Sequence, residues 1–454
     1  MTTREISRII LILIFFIVLC PAPVTAQSPV LLRTIGVTPL PFTGPGGNIS
    51  YALHVADNGQ LVTLNNRNSP DLFVYDRNGS LLWNRTLSAE QPPWISSVSI
   101  APGAQDLIIT QLVPACCHGS VTNTSSNKVM HLDRTGTILW DYPTMNPPLA
   151  SGISASGQDF FVGTDDGRIL CLDRNGTLRW TTPVDVPVTS FVSSRNGNTI
   201  VATGESNYYY YHLYNEPLNP ADIFVLDQNG TLLWKYQTGG LNTISVSDDG
   251  SVVTVLEKNS GNLLVFNRSG SRIAQRSLGG ASSGLSMSRD GSLIVAETEG
   301  GAVYGFDRTG AAIWNMTVYP GSQGIIFFGD ENSIILGNGL SVSQYGRQGN
   351  LLGDYPADGH VRAVEPARDA SSFVAGTDRS LFFFSTNRPL TDAEIPACTP
   401  LRTIQTPAGV PQPSTKAPIC PGIAVFALAG YAPGMRFLRK WQSEYNRKCL
   451  VIQD

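Results

Sequence analysis

The chain has 454 residues, of which 44 are Gly and 30 are Pro, and only 15% are charged. This length accommodates several domains or one large repeat domain, and the composition is typical of an all-β protein with many turns. The net charge of −4 and the lack of a basic patch with interleaved aromatic residues exclude nucleic acid as the expected partner.

The N-terminus, residues 1–26, has the pattern of a secretory signal peptide. Arg4 precedes the apolar run "IILILIFFIVL", and the small residues of "PVTA" come before Gln27. We do not interpret Cys20 as a lipoprotein cysteine, because Leu19 stands where a small residue is required. The mature chain is therefore expected to be extracellular or on the cell surface.

Residues 27–390 contain a recurring turn, as in "VYDRNGSLLW", "LCLDRNGTLRW" and "VLDQNGTLLW". Its glycines are spaced by 57, 40, 54, 40, 40 and 39 residues, and a period near 40 with four short strands per unit predicts a β-propeller. Eight inner-strand segments, from "YALHVA" to "HVRAVE", indicate eight blades. We predict an all-β, eight-bladed β-propeller with four antiparallel strands per blade, whose last blade is closed by the N-terminal segment "VLLRTIG". The glycines are Gly79, Gly136, Gly176, Gly230, Gly270, Gly310 and Gly349.

The turn itself has Asp at its first position and Gly at its fourth, which favours a type I turn followed by a left-handed residue. A two-residue type I′ turn is the alternative. The residue before Gly varies among Asn, Thr, Ser and Gln, and β-branched Thr tolerates positive φ poorly, so we favour type I.

Five tryptophans each lie four residues beyond a turn glycine, on the predicted outer strand. A large ring at this position is expected to fill the space between neighbouring blades rather than to bind a ligand. They are Trp83, Trp140, Trp180, Trp234 and Trp314.

The Asp, Gly and Trp of "LDRNGTLRW" resemble the repeat of pyrroloquinoline-quinone-type propellers, over about residues 30–388. That superfamily includes quinoprotein dehydrogenases and the propeller lipoprotein of outer-membrane assembly. The turns "SVSDDGS" and "SMSRDGS" also resemble those of WD-type propellers. The resemblance implies the fold, whereas activity has to be argued from a site.

The adjacent Cys116 and Cys117 resemble the neighbouring cysteines that form a disulfide over the cofactor in quinoprotein alcohol dehydrogenases, which makes a quinone-dependent oxidoreductase the alternative function. A structural disulfide between these two, or bridges elsewhere among the six mature cysteines, suits an oxidising exterior better. Zinc binding by this pair with His118 and His131 is disfavoured, because adjacent thiols lack the usual ligand spacing. We therefore predict no catalytic residues, no cofactor and no metal.

Two long intervals place extra residues between the second and third strands of blades two and four. "QLVPACCHGSVTNTSSNK" and "GESNYYYYHLYNEPLNPAD" are thus expected on one face, on either side of blade three. The second forms a candidate binding loop, because Tyr combines apolar area with a polar tip; a self-packed insertion is the alternative. The candidate residues are Tyr208, Tyr209, Tyr210, Tyr211, His212 and Tyr214.

Eight Asn-x-Ser/Thr sequons fit a secreted chain. Three of them, at Asn78, Asn175 and Asn229, would also arise from the chemistry of the repeated turn. The candidate glycosylation sites are the other five, Asn48, Asn84, Asn123, Asn267 and Asn315.

Beyond the propeller, residues 391–418 form a Pro-rich linker, residues 419–440 an apolar segment with a basic flank, and residues 441–454 a tail. The apolar segment resembles an archaeal surface-sorting signal of the Pro-Gly-Phe type, although Ile423 follows Pro421 and Gly422 and Pro433 interrupts it. It is interpreted as a membrane anchor, with a packed terminal segment as the alternative.

Together these features predict a non-catalytic cell-surface propeller that binds or scaffolds a protein or glycan partner.

Overall fold

A computed structural model describes residues 29–36, 51–66, 70–87, 94–112, 127–205, 221–320, 325–328, 333–367 and 371–385. These residues form 32 strands in eight four-stranded antiparallel sheets, arranged as the blades of a propeller, as predicted. Among them no helix is long and apolar enough to cross a bilayer. The chain divides after Pro396, and the second unit, Ala397–Asp454, lies wholly outside the described residues, as do the signal peptide, the linker and the apolar segment.

Each blade begins with an inner strand, which is followed by a second strand. The inner strands are β2 (Tyr51–Val55), β6 (Trp94–Ile100), β10 (Pro148–Ile153), β14 (Val188–Ser193), β18 (Asn242–Val246), β22 (Ser282–Met287), β26 (Ile325–Phe328) and β30 (Val361–Pro366). The second strands are β3 (Leu61–Asn66), β7 (Asp106–Leu112), β11 (Asp159–Thr164), β15 (Ile200–Glu205), β19 (Val252–Glu257), β23 (Leu293–Thr298), β27 (Ser333–Asn338) and β31 (Ser372–Thr377).

A third and an outer strand complete each blade. The third strands are β4 (Asp71–Asp76), β8 (Lys128–Asp133), β12 (Arg168–Asp173), β16 (Ala221–Leu226), β20 (Asn262–Asn267), β24 (Ala302–Asp307), β28 (Ser341–Gly346) and β32 (Ser380–Ser385). The outer strands are β5 (Leu81–Thr86), β9 (Ile138–Pro143), β13 (Leu178–Pro183), β17 (Leu232–Thr238), β21 (Arg272–Ser277), β25 (Ala312–Thr317), β29 (Leu351–Pro356) and β1 (Val30–Gly36).

The core lies in the second and third strands, which are covered on both faces by neighbouring blades. Every residue of β7, β15, β23 and β31 is buried. Strands that are buried on both faces have nearly continuous apolar sequences. The outer strands instead alternate between exposed and half-buried residues. The largest fully buried side chains are phenylalanines, including Phe160, Phe224, Phe266, Phe373, Phe383 and Phe384.

The ring is closed by β1, which is the outer strand of blade eight. It pairs antiparallel with β32, from Val30 opposite Ser385 to Gly36 opposite Ser380. The side chain of Ile35 packs with Phe383 in the core between blades eight and one. The predicted closure by an N-terminal strand is thus confirmed, and β32 presents no open edge.

The repeated turn has the conformation that the sequence favours. In blade one, Gly79 has φ +77°, and its N–H donates to the Asp76 carbonyl at 3.0 Å. The Asp76 carboxylate accepts hydrogen bonds from the backbone N–H groups of Asn78, at 2.9 Å, and Ser80, at 2.7 Å. Among the described non-glycine residues only Ala104 and Asp185 have positive φ, so the type I′ alternative is wrong.

An oxygen-bearing side chain is favoured at the first position of the turn because it accepts hydrogen bonds from backbone N–H groups that would otherwise be unpaired. The hydroxyl of Thr135 donates to Asp133 and lowers the pKa of that carboxyl, and Thr309 does the same for Asp307. In the turn that begins at Asp173, the backbone N–H of Thr177 is the main cause of a lowered pKa. These side-chain bonds are the reason that Asp recurs at this position.

Each of the five tryptophans contacts the turn of the next blade. The Trp140 indole N–H donates to the Arg174 carbonyl at 2.9 Å, and Trp180 does the same to Gln228 at 3.2 Å. The ring lies so close to the next turn glycine that a Cβ on Gly230 would be 2.5 Å from Trp180. The turn glycines therefore have two roles. They adopt a positive φ, and they leave space for the indole ring of the preceding blade. All five tryptophans remain half-exposed.

Two blade junctions use other contacts. At the junction of blades five and six, Ala274 replaces tryptophan, and a Cβ on Gly310 would be 2.5 Å from the Ala274 side chain. The Arg276 guanidinium donates to the Gly310 carbonyl at 2.7 Å, as Arg85 does to the Gly136 carbonyl at 2.8 Å at the junction of blades one and two. At the closing junction, Ile35 lies against Gly79.

Removal of residues 27–36 tests the closing strand. We expect truncation to lower the free energy of unfolding by at least about 2 kcal/mol, the lower end for losing one buried aliphatic side chain, and to promote aggregation through the exposed β32 edge. Chemical denaturation and light scattering measure these effects. Leu31→Ser is the matched control, because Leu31 is on β1 but 44% exposed. Unchanged stability of the truncated protein would contradict the closure.

Trp180→Ala tests the inter-blade role predicted for the tryptophans. We expect a loss of about 3 kcal/mol in unfolding free energy, the lower end for truncating Trp, since this ring is half-exposed. Trp180→Phe should lose only about 1 kcal/mol, because it keeps most of the ring and removes one hydrogen bond. Leu178→Ser, at a site 41% exposed on the same strand, is the control. A loss below about 0.5 kcal/mol for the alanine variant, the usual range of surface changes, would contradict the prediction.

Candidate functional site

The connections between strands lie on two faces of the propeller. In an antiparallel blade, the first and third connections lie on one side, which we call the turn face; residues 56–60 and 77–80 are examples. The second connection and the connection to the next blade lie on the opposite side, the insertion face. Residues 113–127 and 206–220 are the long second connections of blades two and four.

The predicted binding loop belongs to the insertion face. The described chain leaves at Glu205, the last residue of β15, and returns at Ala221, the first residue of β16. The six loop residues Tyr208, Tyr209, Tyr210, Tyr211, His212 and Tyr214 lie outside the described residues, as do Cys116 and Cys117. Between the two insertions, blade three connects β11 to β12 through residues 165–167 alone.

Glu205 lies at the base of the second insertion and was not singled out from the sequence. Its side chain is only 3% exposed, and no described residue donates a hydrogen bond to its Oε2. Burial raises the pKa of this carboxyl to about 7, against the opposing effect of the Lys258 ammonium. A carboxyl that is protonated near neutral pH therefore stands where the insertion begins.

A second carboxyl on the same face is perturbed in the same direction. Asp165, in the short connection of blade three, has its pKa raised to about 6, mainly by burial and further by the negative charge of Asp166. From the sequence, Asp165 and Asp166 are interpreted only as residues that favour a turn. The structure adds that the surface beside the insertions becomes more negative as the pH rises through 6 to 7.

The central channel has a cavity of about 230 Å³ at its turn-face end. It is lined by the inner strands of blades one to four and eight, by the first turns of blades one to three, and by Phe161 of β11. Pockets that enclose drug-sized ligands have volumes of about 300–1,000 Å³. The cavity is below that range, so its size suits a small molecule or one side chain.

Glu365 and His54 line this cavity on adjacent blades. The two residues occupy equivalent positions, because each lies two residues before the alanine that begins the first turn of its blade. In both turns the N–H of this alanine donates to a backbone carbonyl five residues later, Ala56 to Leu61 and Ala367 to Ser372. Burial raises the pKa of Glu365 to about 7. Neither residue was predicted from the sequence. An alignment of the first and last inner strands, through the segments "YALHVA" and "RAVEPA", would have placed them at equivalent positions on adjacent blades.

The buried carboxylate of Asp106 connects blades two and three near the turn face. His131 Nε2 lies 3.1 Å from the carboxylate of Asp106, and both side chains are at most 2% exposed. The Arg174 guanidinium, from the next blade's turn, also contacts Asp106. The imidazole packs between Trp140 and Phe160, with ring centroids 5.1 and 4.9 Å away. This cluster is closed to ligands and joins the two blades.

Three candidate glycosylation sites lie among the described residues. Asn84 and Asn315 each follow a tryptophan on an outer strand, and both are exposed. Asn267 occupies the acidic position of its turn, where its side-chain oxygen accepts bonds from Ser269 and Ser271. Asn48 and Asn123 lie outside the described residues.

Cys171 is a buried free thiol in β12. Burial raises its pKa to about 12, so the reactive thiolate is scarcely populated at neutral pH. In the described part of the chain, no group of three or more His, Cys, Asp or Glu side chains is placed to hold a metal ion.

Comparison with known proteins agrees with this architecture. Residues 125–289, from the start of blade two's third strand to the first turn of blade six, match the family described as PQQ_2: Outer membrane protein assembly factor BamB. No curated protein sequence matches the chain.

Solved structures with low sequence identity share the fold. BamB from Moraxella catarrhalis is 18% identical, with 79% of this chain and 100% of that chain covered and a TM-score of 0.54. The computationally designed Ika8 protein is 14% identical, with 73% and 95% covered and a TM-score of 0.55. The C-terminal WD40 domain of Sif2 is 9% identical, with 80% and 99% covered and a TM-score of 0.56. At such identities the similarity establishes the fold alone.

Glu205→Gln tests the buried carboxyl at the base of the insertion. The folded protein holds this proton more tightly than the unfolded chain, so stability falls as the pH rises from about 4.5 to about 7. At about 1.4 kcal/mol per pKa unit, this shift corresponds to about 3 kcal/mol. We expect the stability of the variant, relative to the original protein, to rise by that amount between pH 4 and pH 8.

Denaturant titrations at both pH values measure this difference. Glu299→Gln, which changes an exposed carboxylate on the same face, should leave the pH dependence unchanged. A Glu205→Gln profile parallel to that of the original protein would show that the pKa of the Glu205 carboxyl is the same in the folded and the unfolded chain, and would contradict the prediction.

Proposed function

We propose that this chain is a non-catalytic propeller that binds a protein or glycan partner at the cell surface through its insertion face. The observation that carries the proposal is the pair of long second connections on either side of blade three. The fold does not require them, because blade three makes the same connection with residues 165–167 and blade six with residues 299–301. Long loops on a rigid scaffold often carry function.

The strands that hold the insertions support this proposal. All residues of β7, β15 and β16 are buried, so three of the four insertion ends leave from the core of their blades. A binding loop anchored at such rigid ends loses less conformational freedom on binding than one on a mobile support. The tyrosine-rich sequence of residues 208–214 supplies the aromatic side chains that dominate many interfaces.

The comparisons support a protein partner rather than a substrate. The matching family is described as an assembly factor, and a solved structure of similar fold is the BamB of Moraxella catarrhalis. The channel cavity of about 230 Å³ is smaller than the pockets of drug-sized ligands, which weighs against the quinone-dependent oxidoreductase.

The location is proposed from the chain ends and the sequons. Residues 1–26 would direct export, and residues 419–440 would hold the propeller at the membrane with Arg436, Arg439 and Lys440 on the cytoplasmic side. The exposure of Asn84 and Asn315 is compatible with glycans on the outer strands.

Replacement of the loop "NYYYYHLYNEPLN", residues 207–219, by a short Gly-containing turn tests the insertion face. In the envelope of the producing cells, the full chain is cross-linked and its partner identified by mass spectrometry, and binding is then measured with that purified partner. We expect the replacement to raise Kd at least about 30-fold, as for losing one 2 kcal/mol hot spot, with unchanged circular dichroism and melting.

Tyr319→Ser is the matched control, since Tyr319 is 54% exposed and follows β25 onto the same face near blade seven. This variant should bind as the original protein does. If the loop replacement keeps full affinity while substitutions on the turn face abolish it, the partner binds the turn face and the proposal is wrong. If the loop replacement unfolds the propeller, the insertion is a packed structural element instead.

A further inference from the structure

The cavity at the turn-face end of the channel combines carboxylates, hydroxyls and apolar side chains. Sixteen described residues line it, and none of them is Lys or Arg. Its ionisable side chains are Asp57, Glu365 and His54. When ionised, the two carboxyls make the lining acidic in a partly enclosed space, where charges act more strongly than at the open surface.

Glu365 is the distinctive member of this lining. Its side chain is half-buried on β30, and it makes no hydrogen bond or ion pair with any described residue. A carboxylate in such surroundings is normally paired, because an unpaired charge loses its hydration without compensation. The neighbouring inner strand contributes His54 at the same height in the channel, and Asp57 follows in its first turn.

We propose that this channel mouth is a binding site for an alkylammonium group, supplied by a small free amine or by a lysine side chain of a protein. The ammonium would pair with the Glu365 carboxylate, to which the described residues donate no hydrogen bond or ion pair. The site is on the opposite face from the insertions, and the inference is independent of the partner proposed for them.

Other residues of the lining suit the ammonium end and the alkyl end of such a ligand. Ser99 and Ser151 contribute hydroxyl oxygens to the same lining, and these hydroxyls bond each other at 3.0 Å. Phe191, Ile100 and Ile153 provide apolar surface for a short alkyl chain, and the Phe191 ring can also face the cation. An ammonium has three donors and a compact charge, so it suits a cavity whose lining combines carboxylates and hydroxyls.

The proposal predicts a characteristic pH dependence. Burial raises the pKa of Glu365 to about 7, so its ionised fraction falls about tenfold from pH 8 to pH 6. An alkylamine stays charged throughout this range, since its pKa is about 10. Affinity should therefore fall about tenfold as the pH is lowered from 8 to 6. The other ionisable groups of the lining are His54 on β2 and Asp57 in the following turn.

The test uses the full chain with n-butylamine and with butan-1-ol, which has the same shape without the charge. Isothermal titration calorimetry at pH 8 should show binding of the amine and none of the alcohol. Glu365→Gln should weaken amine binding at least tenfold and flatten the pH profile between pH 6 and 8. Glu299→Gln, on the insertion face, should change neither property.

The source of the ammonium is distinguished by a second ligand, an acetylated and amidated Gly-Lys-Gly peptide. Peptide binding as tight as that of butylamine assigns the site to a lysine side chain, and binding of butylamine alone assigns it to a free amine. Should Glu365→Gln fail to fold, Asp57→Asn removes the other carboxylate and should also weaken binding. Equal binding of butanol, an unaltered pH profile in Glu365→Gln, or no amine binding at millimolar concentrations would each overturn the proposal.

Discussion

The pairing of β1 with β32 is the constraint on which the rest of the molecule depends. Blade eight takes three strands from the end of the propeller and its outer strand from the beginning, so the first and last blades are joined by backbone hydrogen bonds. Only a closed ring brings β30 beside β2 and forms a continuous channel wall. The cavity, and the position of Glu365 next to His54, are consequences of that closure.

Within the ring, one recurring contact satisfies two local requirements at once. The turn glycine adopts a positive φ that other residues avoid, and the missing side chain leaves space for a tryptophan of the preceding blade, as at Gly176 and Trp140. The indole N–H then bonds a backbone carbonyl of the same turn. At the junction of blades five and six, where Ala274 replaces tryptophan, the Arg276 guanidinium donates a hydrogen bond to the Gly310 carbonyl. Junctions of different composition can therefore share one geometry.

The two faces of the propeller differ in the length of their connections. The turn face is built from short, hydrogen-bonded turns around the channel cavity, whereas the insertion face carries two long connections that the blades do not need. Both faces contain carboxyls with a raised pKa, Glu365 on the first and Glu205 on the second, because burial without a full set of partners disfavours the charge. The charge of each face is thus sensitive to pH near neutrality.

Local sequence determined the architecture. The Asp-to-Gly spacing specified a turn whose hydrogen bonds lie within five residues, and the period near 40 specified the four-stranded blade. The segment "VLLRTIG", which has no neighbouring strand in the sequence to pair with, specified the closure of the ring. The tertiary structure alone decided which distant side chains meet. Glu365 and His54 come from opposite ends of the chain, Asp106 meets Arg174 of another blade, and Glu205 is buried by its neighbours. Turn and strand patterns are local, whereas burial and pairing of charges depend on blade packing, which no short sequence window contains.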